Sequence, residues 1–391
     1  MRIALVTPFN PKELADYLDD EKDIINVQVS MSSVHALARG LIKMGHTVSI
    51  ITACVGPNND IITYHGANVY IHIAQCKHSV FGLAFVPMLR RIIRKHQKEY
   101  DVIHAQWTYA FAYSIIPFSR DVLSFCSVRD WCPYLMTFKG TFREKVNLRI
   151  LNYFFKRVMS VNNLIKVANS SYISKRIRNY CGIEQVPLIP NPIKSELLLT
   201  GEKHYPERTT FISIAQSLKD SRKNIATLLK AFELYLKEEP CARLILIGAG
   251  REEYFRSFDI SAHIFQNIKF LGVLPHKEVI RWIDKSSILV HPALEETFGN
   301  ILLEAAARGV PSIGGYDSGA VPQVLDYGRA GCLCDIHDSN SICEAMQTVS
   351  HNLEYRRFIV ENSRRRLQEF YIDEEVCRKH IQLYSSYLNN Q

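Results

Sequence analysis

The sequence predicts an α/β protein with two parallel-sheet domains that face each other across a cleft. Apolar runs of strand length alternate with segments of helical periodicity along nearly the whole chain. This rhythm is interrupted once, by a proline-containing segment without a clear period, and the chain of 391 residues fits two domains of ordinary size. Ligands of such folds bind beyond the carboxyl ends of the strands, so the cleft is the expected binding region.

The first domain is expected over residues 1–195. Its opening strand, Ile3–Val6, is followed by a predicted helix over Ser33–Met44, and Gly45 stands where a helix C-cap is expected, before a strand over Thr47–Thr52. Other apolar runs predict strands at 68–74, 102–107, 121–126, 164–168 and 186–190.

Residues 191–208 are predicted to be the linker, since they contain prolines, Gly201 and mixed charges. A second domain is expected over 208–370. Its predicted strands are Phe211–Ala215, Arg243–Ile247, Ile268–Val273, Ile288–His291, Pro311–Gly314 and Gly331–Cys334, and its predicted helices are 224–237, 251–257, 277–285 and 300–308. The tail from Ser341 onward is predicted to be wholly helical, with apolar residues at Val376, Ile381, Tyr384 and Leu388.

Composition excludes several classes of protein. Hydrophobic residues make up 47% and charged residues 22% of the chain, which is typical of a globular protein and not of a disordered one. The ten cysteines form no Cys-x-x-Cys pair and show no zinc spacing with histidine, so we expect a reduced compartment and no metal. The sequence shows neither a signal-peptide core nor an apolar run long enough to span a membrane, and we expect a cytoplasmic protein.

The densest set of candidate residues lies in the segment His291–Glu304. A strand is predicted to end at its start, and a helix is predicted to begin near Gly299 or Asn300. The first turn of a helix offers backbone N–H groups and a partial positive charge, which suit an anion such as a diphosphate. Glu296 and Glu304 would flank that anion and could accept hydrogen bonds from sugar hydroxyls. Spacing alone favours the simpler interpretation that these carboxylates are solvated.

The segment resembles the Glu-x7-Glu signature of the retaining glycosyltransferases of family 4, which have the GT-B fold of two Rossmann-like domains. The pair here is Glu296 and Glu304. Similar pieces of sequence occur in the family's order along the chain, at Arg2–Phe9, Leu37–His46, Asp101–Ala105, Leu188–Asn191, Arg222–Ile225, Leu244–Gly250 and Ser318–Gln323.

The resemblance implies a role for each matched residue. Glu296 and Lys223 would be catalytic, with Glu296 holding hydroxyls of the donor sugar and Lys223 neutralising the diphosphate, while Glu304 would bind the ribose hydroxyls. The donor would be a UDP- or GDP-sugar, used without a metal or other cofactor. The last segment, 371–391, would pack back towards the N-terminal domain. The remaining implied donor-binding residues are Thr297, Phe298, Gly299, Asn300, Arg222, Gln216 and Gly248.

The chain departs from the family pattern at several positions. Gln216 stands in a segment where relatives carry an arginine, and Arg222 could replace that charge. On the acceptor side, Gln106 occupies the place of a second histidine, and His104 is more typical of a packed strand residue than of a catalytic one. Ser32 lies where many members have a Gly-Gly loop, and serine hydroxyls at that helix start could serve instead.

Positive charge is concentrated in residues 139–178, which hold ten Lys or Arg against the single acid Glu144. Either an amphipathic helix lies on anionic lipid, or an ordinary helix has a solvated basic face. Lipid-linked acceptors are common in the family, which favours peripheral contact with the inner face of a membrane, whereas no recognition motif favours nucleic acid. A second basic cluster comprises Arg90, Arg91, Arg94, Lys95 and Lys98.

The resemblance therefore predicts a hexosyltransferase that extends a saccharide or lipid-linked glycan in surface polysaccharide biosynthesis. Two alternatives remain open. A sugar-nucleotide 2-epimerase shares the architecture but needs no acceptor. A catalytically inactive scaffold subunit is suggested by Gln106 and Gln216.

Overall fold

The computed structural model describes residues 1–19, 24–27, 31–79, 82–137 and 142–389. The chain divides into two compact units: unit 1 comprises Met1–Pro192 and Asp373–Gln391, and unit 2 comprises Ile193–Ile372. Each unit has its own sheet with helices packed against it, as the alternation of apolar runs and helical segments predicts.

Unit 1 is built on a seven-stranded sheet in the order β3-β4-β2-β1-β5-β6-β7, in which only the β3–β4 pair is antiparallel. Its strands are β1 (Arg2–Val6), β2 (Thr47–Val55), β3 (Asp60–Gly66), β4 (Val69–Cys76), β5 (Val102–Ala105), β6 (Leu123–Val128) and β7 (Leu164–Ala168). Its first six helices are α1 (Ser32–Lys43), α2 (Phe85–His96), α3 (Ala110–Ile115), α4 (Cys132–Leu135), α5 (Phe142–Met159) and α6 (Ser171–Cys181).

Unit 2 has a six-stranded, wholly parallel sheet in the order β10-β9-β8-β11-β12-β13. Its strands are β8 (Thr210–Ser217), β9 (Arg243–Ala249), β10 (Ile268–Phe270), β11 (Ile288–His291), β12 (Ser312–Gly315) and β13 (Cys332–Cys334). Its helices are α7 (Ile225–Tyr235), α8 (Glu252–Phe255), α9 (His276–Asp284), α10 (Asn300–Ala307), α11 (Val321–Val324), α12 (Ser339–His351) and α13 (Leu353–Phe370).

The last helix, α14 (Asp373–Leu388), belongs to unit 1. Its buried Val376, Cys377 and Tyr384 join the apolar core on one face of the sheet. Helix α14 packs against α1 at Gly40, where a Cβ atom would lie 2.5 Å from the Cys377 sulfur. Glycine is therefore required for this close approach of the two helices.

One expectation from the sequence is wrong in detail. Residues 186–190 form no strand but a single bridge from Leu188 to Ala168, because Pro187 and Pro190 lack the N–H groups that a ladder needs. The basic stretch 139–178 contains α5 and most of α6 on either side of β7, which lies at the strand predicted over 164–168. Its first residue, Lys139, lies outside the described residues, as does Ser30 of the serine-rich segment before α1.

The predicted linker divides between the two units. Asn191 and Pro192 belong to unit 1, whereas the segment from Ile193 onward lies on unit 2. The Leu199 N–H donates to the Ala307 carbonyl at 2.8 Å, and the Tyr205 hydroxyl donates to Gly309 at 3.0 Å. These contacts make most of the segment a packed part of unit 2.

The remaining short helices are of the 3-10 type, at Pro11–Tyr17, Gln97–Glu99, Ile116–Phe118, Ser195–Leu197, Ser221–Lys223, Ala262–Asn267 and Asp326–Gly328. No helix among the described residues is both long and apolar enough to cross a membrane.

Candidate active site

The candidate active site lies in unit 2, where three loops follow the neighbouring strands β8, β11 and β12. Since these strands are parallel and adjacent, their carboxyl ends share one edge of the sheet. Backbone hydrogen bonds join the loops: the Leu294 N–H donates to the Arg222 carbonyl at 2.8 Å, and the Ala320 N–H donates to the Glu296 carbonyl at 2.8 Å. The side chains of the loops are thereby held close together.

The loop after β8 places Lys223. Asp220 accepts a hydrogen bond from the Arg222 N–H at 3.0 Å, and its carbonyl accepts from the Lys223 N–H at 2.9 Å, which closes a single 3-10 turn. Asn224 then adopts a left-handed backbone with φ of 53°, fixed by its side-chain amide donating to the Ile336 carbonyl at 2.7 Å. Helix α7 begins immediately afterwards, so Lys223 is held between two constrained positions.

The loop after β11 leads into the N-terminus of α10. Phe298 is buried and packs edge-to-face on Tyr371, with ring centroids 5.8 Å apart. Gly299 has a φ of 90° and precedes Asn300, the first helical residue. A side chain at Gly299 would be strained in that conformation, so glycine allows the abrupt entry into the helix. The helix start predicted from the sequence is confirmed.

Two basic side chains lie beside the Glu296 carboxylate at this site. The Lys223 ammonium donates to its carboxylate at 2.9 Å, and the His291 Nε2 lies 3.4 Å from the same oxygen. Burial acts to raise the pKa of Glu296, but the positive charge of Lys223 and the nearby His291 ring outweigh it, so the pKa lies far below its usual range. Glu296 is therefore a carboxylate at neutral pH and can accept hydrogen bonds from hydroxyl groups, but it has no proton to donate.

Glu304 lies further along α10 and pairs with a different base. Its carboxylate is 2.9 Å from the Nε2 of His276, the first residue of α9, and only 10% of the Glu304 side chain is exposed. The solvated state that spacing alone favours is therefore wrong for Glu304. His276 was not identified from the sequence, because nothing local links it to Glu304, 28 residues away.

The loop after β12 supports Glu296 from its backbone side. Gly319 has a φ of 59°, and a Cβ atom there would lie 2.3 Å from the Glu296 carbonyl oxygen. The Ser318 hydroxyl, in the loop after β12, donates to the Ala293 carbonyl in the loop after β11 and so joins the same two loops. The motif at Ser318–Gln323 is visible in the sequence, but its contact with Glu296 is not.

The other predicted donor-binding residues lie in the same unit but in different surroundings. The guanidinium of Arg222 is held by Asp220, with Nε 3.1 Å from both carboxylate oxygens. Gln216 is exposed near the end of β8, and Thr297 is half-buried in the loop after β11. Gly248 of β9 has a φ of 146°, and a Cβ atom there would lie 2.0 Å from the Ala215 carbonyl. Strand packing alone therefore requires glycine at position 248.

The predicted acceptor-side residues lie in unit 1. His104 is fully buried, its Nδ1 is 2.6 Å from the Tyr384 hydroxyl, and its Nε2 is 2.9 Å from the Ser127 hydroxyl. Burial is the main cause that holds the pKa of His104 well below its usual range, with further contributions from the neighbouring His380 ring and the Arg129 guanidinium, so the His104 ring is neutral. This is the geometry of a packed strand residue.

Gln106 contacts the Arg129 guanidinium beside His104, whereas on α1 it is the neighbour of Ser32 that contacts Arg129. Gln106 is fully buried, and its amide oxygen accepts from the Arg129 guanidinium at 2.6 Å. Ser32 is the first residue of α1 and is half-buried, whereas the next residue, Ser33, accepts from Arg129 at 3.2 Å. The acceptor-side roles of His104, Gln106 and Ser32 remain predictions.

Among the residues that the structure describes, no group of three or more His, Cys, Asp and Glu is placed to hold a metal ion. The basic side chains near Glu296 and Glu304 pair with those carboxylates directly.

Two family profiles match consecutive parts of the chain. The profile described as Glycosyltransferase Family 4 matches residues 32–197, and the profile described as Glycosyl transferases group 1 matches residues 200–366. Together they take in most of the chain, including Lys223, Glu296 and Glu304 of the candidate active site. The chain belongs to this glycosyltransferase family.

The chain spans less than half the length of two curated relatives of this family 4 member. The N-acetyl-alpha-D-glucosaminyl L-malate synthase of Bacillus anthracis is 27% identical over 170 residues, which cover 43% of each chain. The capsular polysaccharide biosynthesis glycosyltransferase CapM of Staphylococcus aureus is 25% identical over 177 residues, which cover 45% of each chain.

Solved structures show that the fold is GT-B. Sucrose-phosphate synthase from Thermosynechococcus elongatus superposes with a TM-score of 0.74 at 17% identity, covering 100% of both chains. HepE from Anabaena, solved with UDP and glucose, superposes with a TM-score of 0.65 at 14% identity, covering 99% of this chain and 100% of that one. The predicted fold class and family are both confirmed.

Proposed function

We propose that this protein is a retaining glycosyltransferase that moves a sugar from a nucleotide diphosphate donor to a saccharide or lipid-linked glycan. The observation that carries the proposal is the convergence of Lys223, Glu296 and the N-terminus of α10 at one edge of the unit 2 sheet. Family membership and the name of CapM support a place in surface polysaccharide biosynthesis. The UDP bound by HepE supports a UDP-sugar as the first donor to test.

In this proposal the diphosphate takes over the ion pair of Lys223. A diphosphate carries more negative charge than one carboxylate and would also meet the N-terminus of α10, so it competes effectively for the ammonium. Lys223 and the helix then stabilise the charge that develops on the leaving group. The freed Glu296 carboxylate accepts hydrogen bonds from hydroxyls of the donor sugar.

The anomeric configuration of the sugar would be retained because the acceptor hydroxyl attacks the same face of the sugar from which the diphosphate leaves. Glu296 has a depressed pKa and cannot act as a general acid, and no step requires it to. The leaving diphosphate oxygen would accept the proton of the acceptor hydroxyl while the new glycosidic bond forms. Glu304 would hold the ribose hydroxyls, exchanging its hydrogen bond with His276 for bonds to the nucleotide.

The proposal is tested with Glu296→Gln and Lys223→Ala, assayed on UDP- and GDP-sugars with a panel of acceptors. We expect each change to reduce turnover by about 100- to 1,000-fold, the usual effect of removing one group that stabilises a transition state. Glu295→Gln and Lys219→Ala are matched controls beside the site and should retain activity. Near-normal turnover in both site variants would refute the assigned roles.

The same assay separates the alternatives. An epimerase would release a free epimerised sugar without an acceptor, and an inactive scaffold would bind the donor in calorimetry without turnover in any acceptor mixture. The anomeric configuration of the product, read by NMR, tests retention separately, because an inverted product would refute it while leaving transferase activity intact.

We also propose that the protein works in the cytoplasm, in peripheral contact with an anionic membrane through unit 1. The exposed Arg91, Arg94 and Lys95 of α2 and the exposed Arg143 and Lys145 of α5 support this. Such contact is electrostatic and should weaken as salt rises. Co-sedimentation with phosphatidylglycerol vesicles in low and high salt tests it, with phosphatidylcholine vesicles as the control.

A further inference from the structure

Unit 2 contains a cavity of about 460 Å³ away from the candidate active site. Residues of the segment 202–205 and of helix α13 line it. The Tyr205 hydroxyl donates to the Gly309 carbonyl at 3.0 Å, and the Lys203 ammonium donates to the Asp284 carbonyl. Gly309 lies just before β12 and Asp284 just before β11, so the cavity lies near the amino ends of these strands. The candidate active site lies at their carboxyl ends and is a separate site.

Helix α13 supplies three arginines to this cavity. Arg356 and Arg364 are two turns of the helix apart, and Arg357 follows Arg356, so the three guanidinium groups share one side of the helix. The Arg356 guanidinium lies over the Tyr205 ring, 4.6 Å from its centroid, and the Arg364 guanidinium donates to the Leu199 carbonyl at 3.1 Å. Two of the three arginines are therefore held in place before any ligand binds.

The positive charge of this cavity is not neutralised by ion pairs. In the part of the chain that the structure describes, none of the three arginines is ion-paired with a carboxylate. Lys203 adds a fourth charge, with its ammonium 5.9 Å from the centroid of the Tyr205 ring. Asp284, whose carbonyl accepts from Lys203, has its carboxylate bound by Arg308 at 2.7 Å. Four cations around one cavity repel one another, and an anion bound among them would relieve that repulsion.

The other side chains of the cavity favour a small ligand with hydroxyl groups. Glu202 and Glu361 line it and are exposed. Their carboxylates would repel a long polyanion such as nucleic acid, but they can accept hydrogen bonds from hydroxyls. Leu353 and Val360 add apolar surface. The volume is also that of a small-molecule site, which is typically about 300–1,000 Å³.

We propose that this cavity binds a sugar phosphate, with the phosphate on the arginines of α13 and the hydroxyls on Glu202 and Glu361. Guanidinium groups match phosphate oxygens with paired, charge-assisted hydrogen bonds. Arg357 is exposed and takes part in no hydrogen bond or ion pair within the described residues, so its guanidinium is available to the ligand. The inference goes beyond the proposed function and does not depend on it, because the donor is assigned to the opposite edge of the sheet.

Calorimetry at pH 7 with glucose 6-phosphate, glucose 1-phosphate, inorganic phosphate and glucose tests the proposal. We expect at least one of the two sugar phosphates to bind about tenfold more tightly than inorganic phosphate or glucose. Arg357→Ala should weaken that binding about tenfold, through the loss of charge-assisted hydrogen bonds. Arg365→Ala is the matched control, since Arg365 is exposed on the same helix, bonds to Asn362 and does not line the cavity.

The hydroxyl contacts are tested separately with Glu361→Ala. This change removes an acceptor for hydroxyls and also removes negative charge, so it should weaken the sugar phosphate while inorganic phosphate binds as well as before or better. The preference for the sugar phosphate over inorganic phosphate should therefore fall. Glu354→Ala is the matched control, because Glu354 is exposed on the same helix outside the cavity and its change should leave that preference unaltered.

The proposal is overturned if neither sugar phosphate binds more tightly than inorganic phosphate, or if Arg357→Ala and Glu361→Ala both bind like the wild type. Co-sedimentation with phosphatidic acid vesicles that Arg357→Glu abolishes, without binding of either sugar phosphate, would also overturn it and assign the arginines to a lipid headgroup.

UDP distinguishes this cavity from the candidate active site. Saturating UDP and the Glu296→Gln change should both leave sugar-phosphate binding unaltered, and competition by UDP would overturn the proposal by placing the sugar phosphate in the active site. A wild-type protein that binds the sugar phosphate but not UDP would count against the proposed function alone.

Discussion

The Lys223 ammonium lies 2.9 Å from the Glu296 carboxylate, although 73 residues separate them in the chain. Both side chains are only about one fifth exposed, at 23% and 20%. The pair therefore holds the loops after β8 and β11 together while keeping both charges where a diphosphate and a sugar hydroxyl are proposed to bind.

The first prediction concerns the stability that this pair provides. Because the pKa of Glu296 is lowered on folding, its contribution is fully present above the pKa of an unfolded glutamate and is lost as pH falls below it. Lys223→Met removes the ammonium, so it should destabilise the protein at pH 7 and have a smaller effect near pH 3. Urea unfolding of both proteins at the two pH values measures this. An equal loss of unfolding free energy at the two pH values would show that the ion pair between Lys223 and Glu296 contributes nothing to stability.

Strands with continuous apolar runs could be predicted from the sequence, and less regular ones could not. The runs at β1, β7 and β11 are buried and lie where expected. The sequence does not predict β3, because it is an antiparallel edge strand with exposed Asp60, Thr63 and His65, which leaves no long apolar run. Lys166 contributes to the charge of the basic stretch in the sequence, but in β7 it is buried and its ammonium donates to the Val161 carbonyl.

Most individual residues of the candidate site could be predicted from the sequence, but their pairings could not. The resemblance led to Glu296, Glu304 and Lys223, because their local motifs survive in the sequence. The pairings of Lys223 with Glu296 and of His276 with Glu304 join different strands and helices, so no local pattern contains them. Only the order of strands in the sheet brings the loops to one edge, and that order cannot be derived from periodicity.

A second prediction concerns how α14 is held in unit 1. The Tyr384 hydroxyl contacts His104 at 2.6 Å and His380 at 3.3 Å, and all three side chains are buried. Tyr384→Phe leaves a ring nitrogen of His104 without this partner, which typically costs about 1–3 kcal/mol. Urea unfolding at pH 7 measures the loss. Tyr387→Phe is the matched control on the same helix, because Tyr387 is 36% exposed and its change should cost little.

A third prediction isolates the contact between Gly319 and Glu296. Gly319 has a φ of 59°, and a Cβ atom there would lie 2.3 Å from the Glu296 carbonyl oxygen, which belongs to the backbone and cannot turn away. Gly319→Ala should therefore displace Glu296 and weaken UDP-sugar binding in calorimetry, in addition to the backbone strain of about 1–2 kcal/mol that any such residue carries. Gly272→Ala shares that strain, with a φ of 69°, but has open space around the new methyl group. We expect it to lower stability without changing affinity, and equal losses of affinity in the two variants would show that the Glu296 contact is unimportant for binding.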